Sequence, residues 1–219
     1  MVVLLQDYAR EVFLDTLESI MKKKRVVIAH GWLAGPTYAW FPWLKQKLEE
    51  RGFEVIIPEL PDAKYPKLEK WLPALAEAVG VADGETYFVG HSMGCQAILR
   101  YMETLPVGVQ VGGVVFVGGF YDNLLGLRDG IPAREFYASW FAKPLDVKTI
   151  VSHMPKSVAI FSDNDRFIPL DNQNGYRDQL GSKIIIEHDK GHFTKLIDGV
   201  DEVPYVLEQV LKLSGQKDQ

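Results

Sequence analysis

The sequence predicts an α/β domain, a three-layer α/β/α sandwich in which helices cover both faces of a mostly or wholly parallel sheet of about six strands. Three observations predict it. Short apolar runs, typical of strands buried on both faces, recur along the chain. Each run is followed by a helical pattern rather than a hairpin turn, which favours right-handed crossovers between parallel strands. The 219 residues contain no internal repeat, low-complexity tract or linker, so we expect a single domain spanning 1–219.

Six runs are predicted to be strands, each β-branched or aromatic in character and ended by glycine, proline or polar residues. They are Val26–Ala29, Phe53–Ile57, Thr86–Val89, Gly113–Val117, Ser157–Phe161 and Lys183–Glu187. Helical periodicity predicts the intervening helices. They are Ala39–Arg51, Leu68–Val79, Gln96–Met102, Leu170–Leu180 and Glu202–Leu213.

Two segments are predicted to lie outside this alternation. Residues 1–24 form an extension with an amphipathic helix at 5–21, which we expect to dock on the domain or at a homodimer interface; its acidic polar face disfavours membrane binding. Residues 120–156 are a short, flap-like insertion with helical patterns at 132–141 and 146–153. Its aromatic residues favour core packing, and Trp140 is also a weak candidate for the substrate pocket.

Composition and charge narrow the functional classes. The net charge of -5 gives no electrostatic basis for binding nucleic acid or an anionic membrane. The single cysteine, Cys95, excludes an internal disulfide and a cysteine-based zinc site, and we interpret it as a small packing residue. No secretory signal or transmembrane-length apolar run is present, so a cytoplasmic protein is expected.

A candidate nucleophile lies in Gly90-His91-Ser92-Met93-Gly94, between a predicted strand and a predicted helix. This is the G-x-S-x-G pattern of a nucleophile elbow, in which a tight turn presents the serine hydroxyl at the edge of the sheet. Glycine is needed on both sides because the strand and helix cross closely there. The helix N-terminus behind Ser92 favours an oxyanion, and the N–H of Met93 is one candidate donor. The alternative is a tight turn with an inert serine.

A second oxyanion donor is expected after the first strand, in the run that begins His30-Gly31-Trp32-Leu33. The backbone N–H of Trp32 is the candidate donor. His30, Gly31 and Leu33 are weak candidates for the substrate pocket, although His30 also fits a structural role. The alternative is a glycine-rich turn without a function.

A serine needs a base to take its proton, and the base needs a carboxylate to orient it. Of the five histidines, His192 is favoured over His188, because it lies after Gly191 in the loop beyond the sixth strand. The acid must come from the loop after the fifth strand, where Asp165 is favoured over Asp163. Pro169 is expected to begin the next helix, which leaves Asp165 in the turn.

The His30-Gly31 loop, Gly90–Gly94, Asp165-x-x-Ile-Pro169 and Gly191-His192-Phe193 together resemble the α/β-hydrolase superfamily. In particular, they resemble its small, cap-less serine hydrolases of the YdeN and retinoblastoma-binding-protein type. It covers the chain from about residue 25 to the C-terminus. It implies a Ser92, Asp165, His192 triad and the α/β-hydrolase fold without the superfamily's first two strands.

The expected function is therefore hydrolysis of a small-molecule acyl substrate through an acyl-enzyme. Small or short-chain carboxylic esters are favoured, with amides and thioesters as alternatives, because the insertion is too short for a large cap. No metal or organic cofactor is needed. The alternative function is a protein-interaction module with weak or vestigial catalysis. Dehalogenase or epoxide hydrolase chemistry is disfavoured, because it needs a carboxylate where Ser92 stands.

Overall fold

A computed structural model describes residues 23–121 and 139–216. The predicted helix at 5–21 lies outside the described residues. Of the helical pattern predicted at 132–141, only residues 139–141 are described, and these are helical. The division of the chain into one domain with an extension and a flap stays a prediction.

The described residues form a six-stranded sheet in the order β2-β1-β3-β4-β5-β6, and all neighbouring strands are parallel. The strands are β1 (Arg25–Ala29), β2 (Glu54–Ile56), β3 (Thr86–His91), β4 (Gly113–Val117), β5 (Ser157–Ser162) and β6 (Lys183–Glu187). The helices are α1 (Phe41–Glu49), α2 (Leu68–Val79), α3 (Met93–Met102), α4 (Val147–His153), α5 (Asn172–Asp178), α6 (Lys195–Asp198) and α7 (Pro204–Leu213). The predicted fold class is confirmed.

The sheet separates two apolar cores, because alternate strand residues point to opposite faces. Val27 and Ala29 of β1 pack with α2 and α3 on one face. Val26 and Ile28 pack with α1 and α7 on the other. The central strands β1, β3 and β4 are buried along most of their length, which explains why they read as continuous apolar runs.

The described part of the insertion is anchored to the helical layer. The indole N–H of Trp140 donates to the Pro66 carbonyl at 2.9 Å. The guanidinium of Arg100, on α3, donates to the carbonyls of Trp140 at 3.0 Å and Pro144 at 3.3 Å. These contacts hold the chain just after residue 138 against α3 and the residues that precede α2.

Several predicted boundaries were wrong at the carboxyl-terminal edge of the sheet. Strand β3 continues through His91, which pairs with Val117 of β4, and α3 begins at Met93 rather than Gln96. Pro169 does not begin α5; it precedes a turn, and its carbonyl accepts from the Asn172 N–H at 3.1 Å. The short helix α6 was not predicted, because four residues are too few for a helical period.

Candidate active site

Ser92 is the only residue between β3 and α3, and it has φ 53° and ψ -116°. A positive φ is strained for a residue with a side chain, so the surrounding contacts must hold it. One of them is a hydrogen bond from the Ser92 N–H to the Val117 carbonyl at 2.9 Å. Ser92 as a whole residue is half-buried. The structure thus places Ser92 in the strained turn that the G-x-S-x-G pattern predicts.

The two flanking glycines are needed for steric reasons. A Cβ atom at Gly94 would lie 2.0 Å from the Ala29 carbonyl oxygen, because the first turn of α3 packs on the end of β1. A Cβ at Gly90 would lie 2.9 Å from the Cα of Cys95. The close crossing of strand and helix leaves no room for a side chain at either position.

His192 lies in the loop after β6, and its ring pairs with Asp165. The distance from His192 Nδ1 to Asp165 Oδ2 is 2.8 Å. The other carboxylate oxygen, Oδ1, accepts from the N–H groups of Phe167 at 2.8 Å and Ile168 at 3.0 Å. The Asp165 side chain is 2% exposed and that of His192 10%. Because a carboxylate only accepts hydrogen bonds, we assign the proton to Nδ1, which leaves Nε2 able to accept one.

Ser92 and His192 both lie next to the end of β4. The Ser92 N–H bonds to Val117, and a Cβ on the next residue, Gly118, would lie 3.4 Å from His192 Nδ1. The ring of His91, next to Ser92, lies 5.0 Å from the His192 ring, centroid to centroid. The structure therefore brings Ser92, His192 and Asp165 to one edge of the sheet.

The competing acid and base form a separate pair. Asp163 Oδ2 lies 2.5 Å from His188 Nδ1, and Asp163 Oδ1 accepts from the Asp189 N–H at 3.1 Å. The hydrogen bond raises the pKa of His188 and lowers that of Asp163. Because the His188 side chain is 79% exposed, this pair braces the surface of the two loops rather than facing Ser92.

The candidate oxyanion donors flank Ser92. Met93 is the first residue of α3, so its N–H has no carbonyl partner within the helix. Trp32 lies in the loop after β1, next to Gly31, where an added Cβ would be 3.1 Å from the Cβ of Ser92. The loop is held by a hydrogen bond from the Trp32 indole N–H to the Lys64 carbonyl at 2.8 Å.

Two of the weak pocket candidates have structural roles. His30 is fully buried: its Nδ1 lies 2.9 Å from the Gly31 carbonyl oxygen, and its Nε2 accepts from the Leu60 N–H at 3.1 Å. Burial lowers the pKa of His30, so the ring is neutral. Trp140 is also fully buried, edge-on to Trp71 with 5.5 Å between ring centroids. Of the candidates, Gly31 lies against Ser92, and Leu33 is 65% exposed.

Cys95 is buried in α3, and burial raises the pKa of its thiol to about 12, which fits a packing role. Within residues 23–121 and 139–216, no three or more His, Cys, Asp or Glu residues are grouped to hold a metal ion. None of the helices in these stretches has the length and apolar character that crossing a bilayer requires.

Several residues that hold the His192 loop were not predicted from the sequence. Asn164 Oδ1 accepts from the Gly191 N–H at 2.7 Å, and Ser162 Oγ accepts from the Lys190 N–H at 3.0 Å. Asp198 Oδ2 accepts from the His192 N–H at 3.0 Å. The only signal in the sequence is their proximity to Asp165 and His192, since a short polar loop has no period.

The parallel sheet, the strained serine between strand and helix, and the Asp–His pair at the same edge are those of an α/β-hydrolase. A family model for serine hydrolases matches residues 26–211, so the chain belongs to the serine hydrolase family.

Two curated relatives agree with this assignment. The chain is 31% identical to YdeN of Bacillus subtilis (strain 168) over 185 residues, which cover 84% of this chain and 93% of that protein. It is 28% identical to the serine hydrolase RBBP9 of Rattus norvegicus over 158 residues, 72% of this chain and 79% of the relative. The crystal structure of the B. subtilis ydeN product superposes with a TM-score of 0.79 at 29% identity, covering 89% of this chain and all of that one.

Proposed function

We propose that this serine hydrolase cleaves small or short-chain carboxylic esters through an acyl-enzyme on Ser92. One observation carries the proposal: the strained Ser92 turn and the buried Asp165–His192 pair, 2.8 Å apart, lie at the same edge of the sheet. A carboxylate buried on an imidazole orients it and stabilises its cationic form. That arrangement is what a serine hydroxyl needs to become a nucleophile.

In the first half of the reaction, Ser92 Oγ attacks the ester carbonyl carbon and its proton moves to His192 Nε2. Asp165 stabilises the resulting imidazolium through the Nδ1–H. The N–H groups of Met93 and Trp32 donate to the developing oxyanion. When the tetrahedral intermediate collapses, the C–O bond to the leaving group breaks and His192 returns the proton to the departing oxygen.

In the second half, a water molecule takes the place of Ser92 as attacking group. His192 Nε2 takes a proton from this water, which attacks the acyl carbon. The bond to Ser92 Oγ then breaks, Oγ recovers a proton from His192, and the carboxylic acid leaves. No step requires a metal or an organic cofactor.

The substrate size follows from the short insertion. Residues 120–156 leave little chain to build a large cap, which favours small acyl groups; amides and thioesters would use the same steps with a different leaving atom. The buried, fully paired Asp165 favours catalysis over the protein-interaction alternative, because a carboxylate that orients the base is part of the arrangement that activates a serine nucleophile.

The test is steady-state turnover of p-nitrophenyl acetate and p-nitrophenyl octanoate, with Ser92→Ala as the control. Wild type is expected to hydrolyse the acetate ester with a larger kcat/KM than the octanoate ester, and Ser92→Ala to show only background hydrolysis. Equal turnover of the two esters would refute the size preference. A wild type no faster than Ser92→Ala would refute ester hydrolysis itself.

A further inference from the structure

The backbone of His192 is held on both sides by side chains from other parts of the chain. Its N–H donates to Asp198 Oδ2 at 3.0 Å. Its carbonyl oxygen lies 2.9 Å from Nε2 of His91, the residue before Ser92. Burial lowers the pKa of His91 to about 3, so its ring is neutral, and Nε2 must carry the proton to donate to this carbonyl. These contacts are separate from the bond between the His192 ring and Asp165.

Asp198 closes the loop that carries His192. The same oxygen, Oδ2, accepts from the N–H of Thr194 at 3.0 Å and from its hydroxyl at 2.7 Å. In return, the Asp198 N–H donates to the Thr194 carbonyl at 3.2 Å. One carboxylate oxygen therefore accepts three hydrogen bonds. Asp198 both accepts from and donates to Thr194, so these hydrogen bonds join α6 to the loop in both directions.

The loop is shaped to accept this carboxylate. Gly191 has φ +53°, and a Cβ there would lie 2.0 Å from Asp198 Oδ1. Any side chain at position 191 would displace the carboxylate from the loop. The glycine before His192 is thus explained by Asp198 as well as by its own backbone angle.

We propose that Asp198 is a positioning residue for the catalytic base: by holding the N–H of His192, it fixes the imidazole relative to Ser92. This inference rests on the proposed function. Ser92 is anchored to β4, and Asp165 is anchored by the N–H groups of Phe167 and Ile168. His192 lies on a loop, so its own placement depends on contacts such as that of Asp198. A displacement of about 1 Å in an active site can cost roughly 10²-fold in rate.

The test compares Asp198→Ala, Asp198→Asn and the control Asp201→Ala. Asp201 lies in the same region, and its only described partner contact is the ion pair with exposed Lys195 at 3.4 Å. We measure kcat and KM for p-nitrophenyl acetate and the rate of fluorophosphonate labelling. Circular dichroism and urea unfolding give the folded fraction of each variant.

Asp198→Ala is expected to lower kcat and the labelling rate about 10²-fold with KM little changed, since substrate binding does not use the His192 N–H. Asp198→Asn keeps an acceptor oxygen but replaces charge-assisted hydrogen bonds with weaker neutral ones, so kcat is expected to fall only about tenfold. Asp201→Ala is expected to match wild type.

The inference would be overturned if Asp198→Asn has the kcat of wild type. It would also be overturned if the loss of kcat in Asp198→Ala is no larger than its unfolded fraction explains. If Asp198→Ala does not fold, Asp198→Asn decides alone. If the fluorophosphonate labels Ser92 in wild type and labels the Asp198 variants equally fast, the positioning role is overturned and the proposed function stands. A wild type that neither labels nor hydrolyses esters overturns the proposed function, and this inference with it.

Discussion

Replacing the carboxylate of Asp165 with an amide is the sharpest perturbation of the proposed mechanism. Asp165 Oδ1 accepts from two backbone N–H groups, and Oδ2 accepts from His192 Nδ1. In Asp165→Asn, the amide oxygen must take the Oδ1 position, because an NH₂ group there would face two donors. The NH₂ group then faces His192 Nδ1 and forces that nitrogen to accept, so the ring proton moves to Nε2, where it blocks transfer from Ser92.

The expected cost is large, because the wrong tautomer cannot act as a base. Loss of the orienting acid in this way lowers kcat by roughly 10⁴-fold, which corresponds to about 5 kcal/mol in the activation free energy. Asp163→Asn is the matched control on the same loop. Asp163 pairs with the exposed His188 rather than with His192, so its kcat is expected to stay within a few-fold of wild type.

The assay is steady-state hydrolysis of p-nitrophenyl acetate by wild type and both variants, with the folded fraction of each measured by circular dichroism. The side-chain volume is preserved in both substitutions, so a difference between them reports on the chemistry of the two positions. Equal losses at positions 163 and 165, or a larger loss at 163, would refute the assignment of the acid.

Three further predictions follow from close contacts and from burial. Gly94→Ala places a Cβ 2.0 Å from the last carbonyl oxygen of β1, so it should destabilise the fold by at least about 3 kcal/mol in urea unfolding; an unchanged midpoint would contradict this. Gly118→Ala adds strain at φ +53° and a methyl group 3.3 Å from the ring of Phe193, the residue after His192, so its kcat should fall about tenfold. Gly181→Ala is the control, at φ +67° with no atom within 4 Å of the added Cβ, and it should keep wild-type kcat. Equal losses of kcat in the Gly118 and Gly181 variants would point to backbone strain alone. Burial lowers the pKa of His91 from 6.5 to about 3, so the unfolded chain binds more protons between these values. The free energy of unfolding should therefore decrease as the pH drops below about 6.5, by up to about 1.4 kcal/mol per pH unit. If a His91→Gln variant shows the same slope of unfolding free energy between about pH 7 and pH 5, the contribution of His91 is refuted.

The sheet was readable from the sequence because its strands have a simple physical signature. A strand covered by helices on both faces must be apolar along its length, and runs such as Val26–Ala29 and Gly113–Val117 have no other common explanation in a chain of alternating elements. The elbow was readable for a different reason. A Cβ atom at Gly94 or Gly90 would lie only 2.0 or 2.9 Å from backbone atoms, so glycine is required on both sides of Ser92. The backbone geometry therefore determines a pattern that can be recognised in the sequence.

The loops were harder to read, because their contacts join residues distant in the chain. Position alone favoured Asp165 over Asp163, but which histidine each one meets depends on the path of two loops more than twenty residues apart. The scaffold role of His30 depends on the Leu60 N–H, thirty residues away. Asp198 was missed for the same reason that α6 was missed: a four-residue helix has no period, and its carboxylate bonds to backbone groups that any residue possesses.

The central claim is that Ser92 is an activated nucleophile, and covalent labelling tests it most directly. Wild type and Ser92→Ala are treated with a fluorophosphonate probe, and the adduct is located by mass spectrometry of the digested protein. The account predicts a stoichiometric adduct on Ser92 in wild type, no adduct in Ser92→Ala, and slow labelling in Asp165→Asn. A folded wild type without an adduct, or an adduct on another residue, would contradict it.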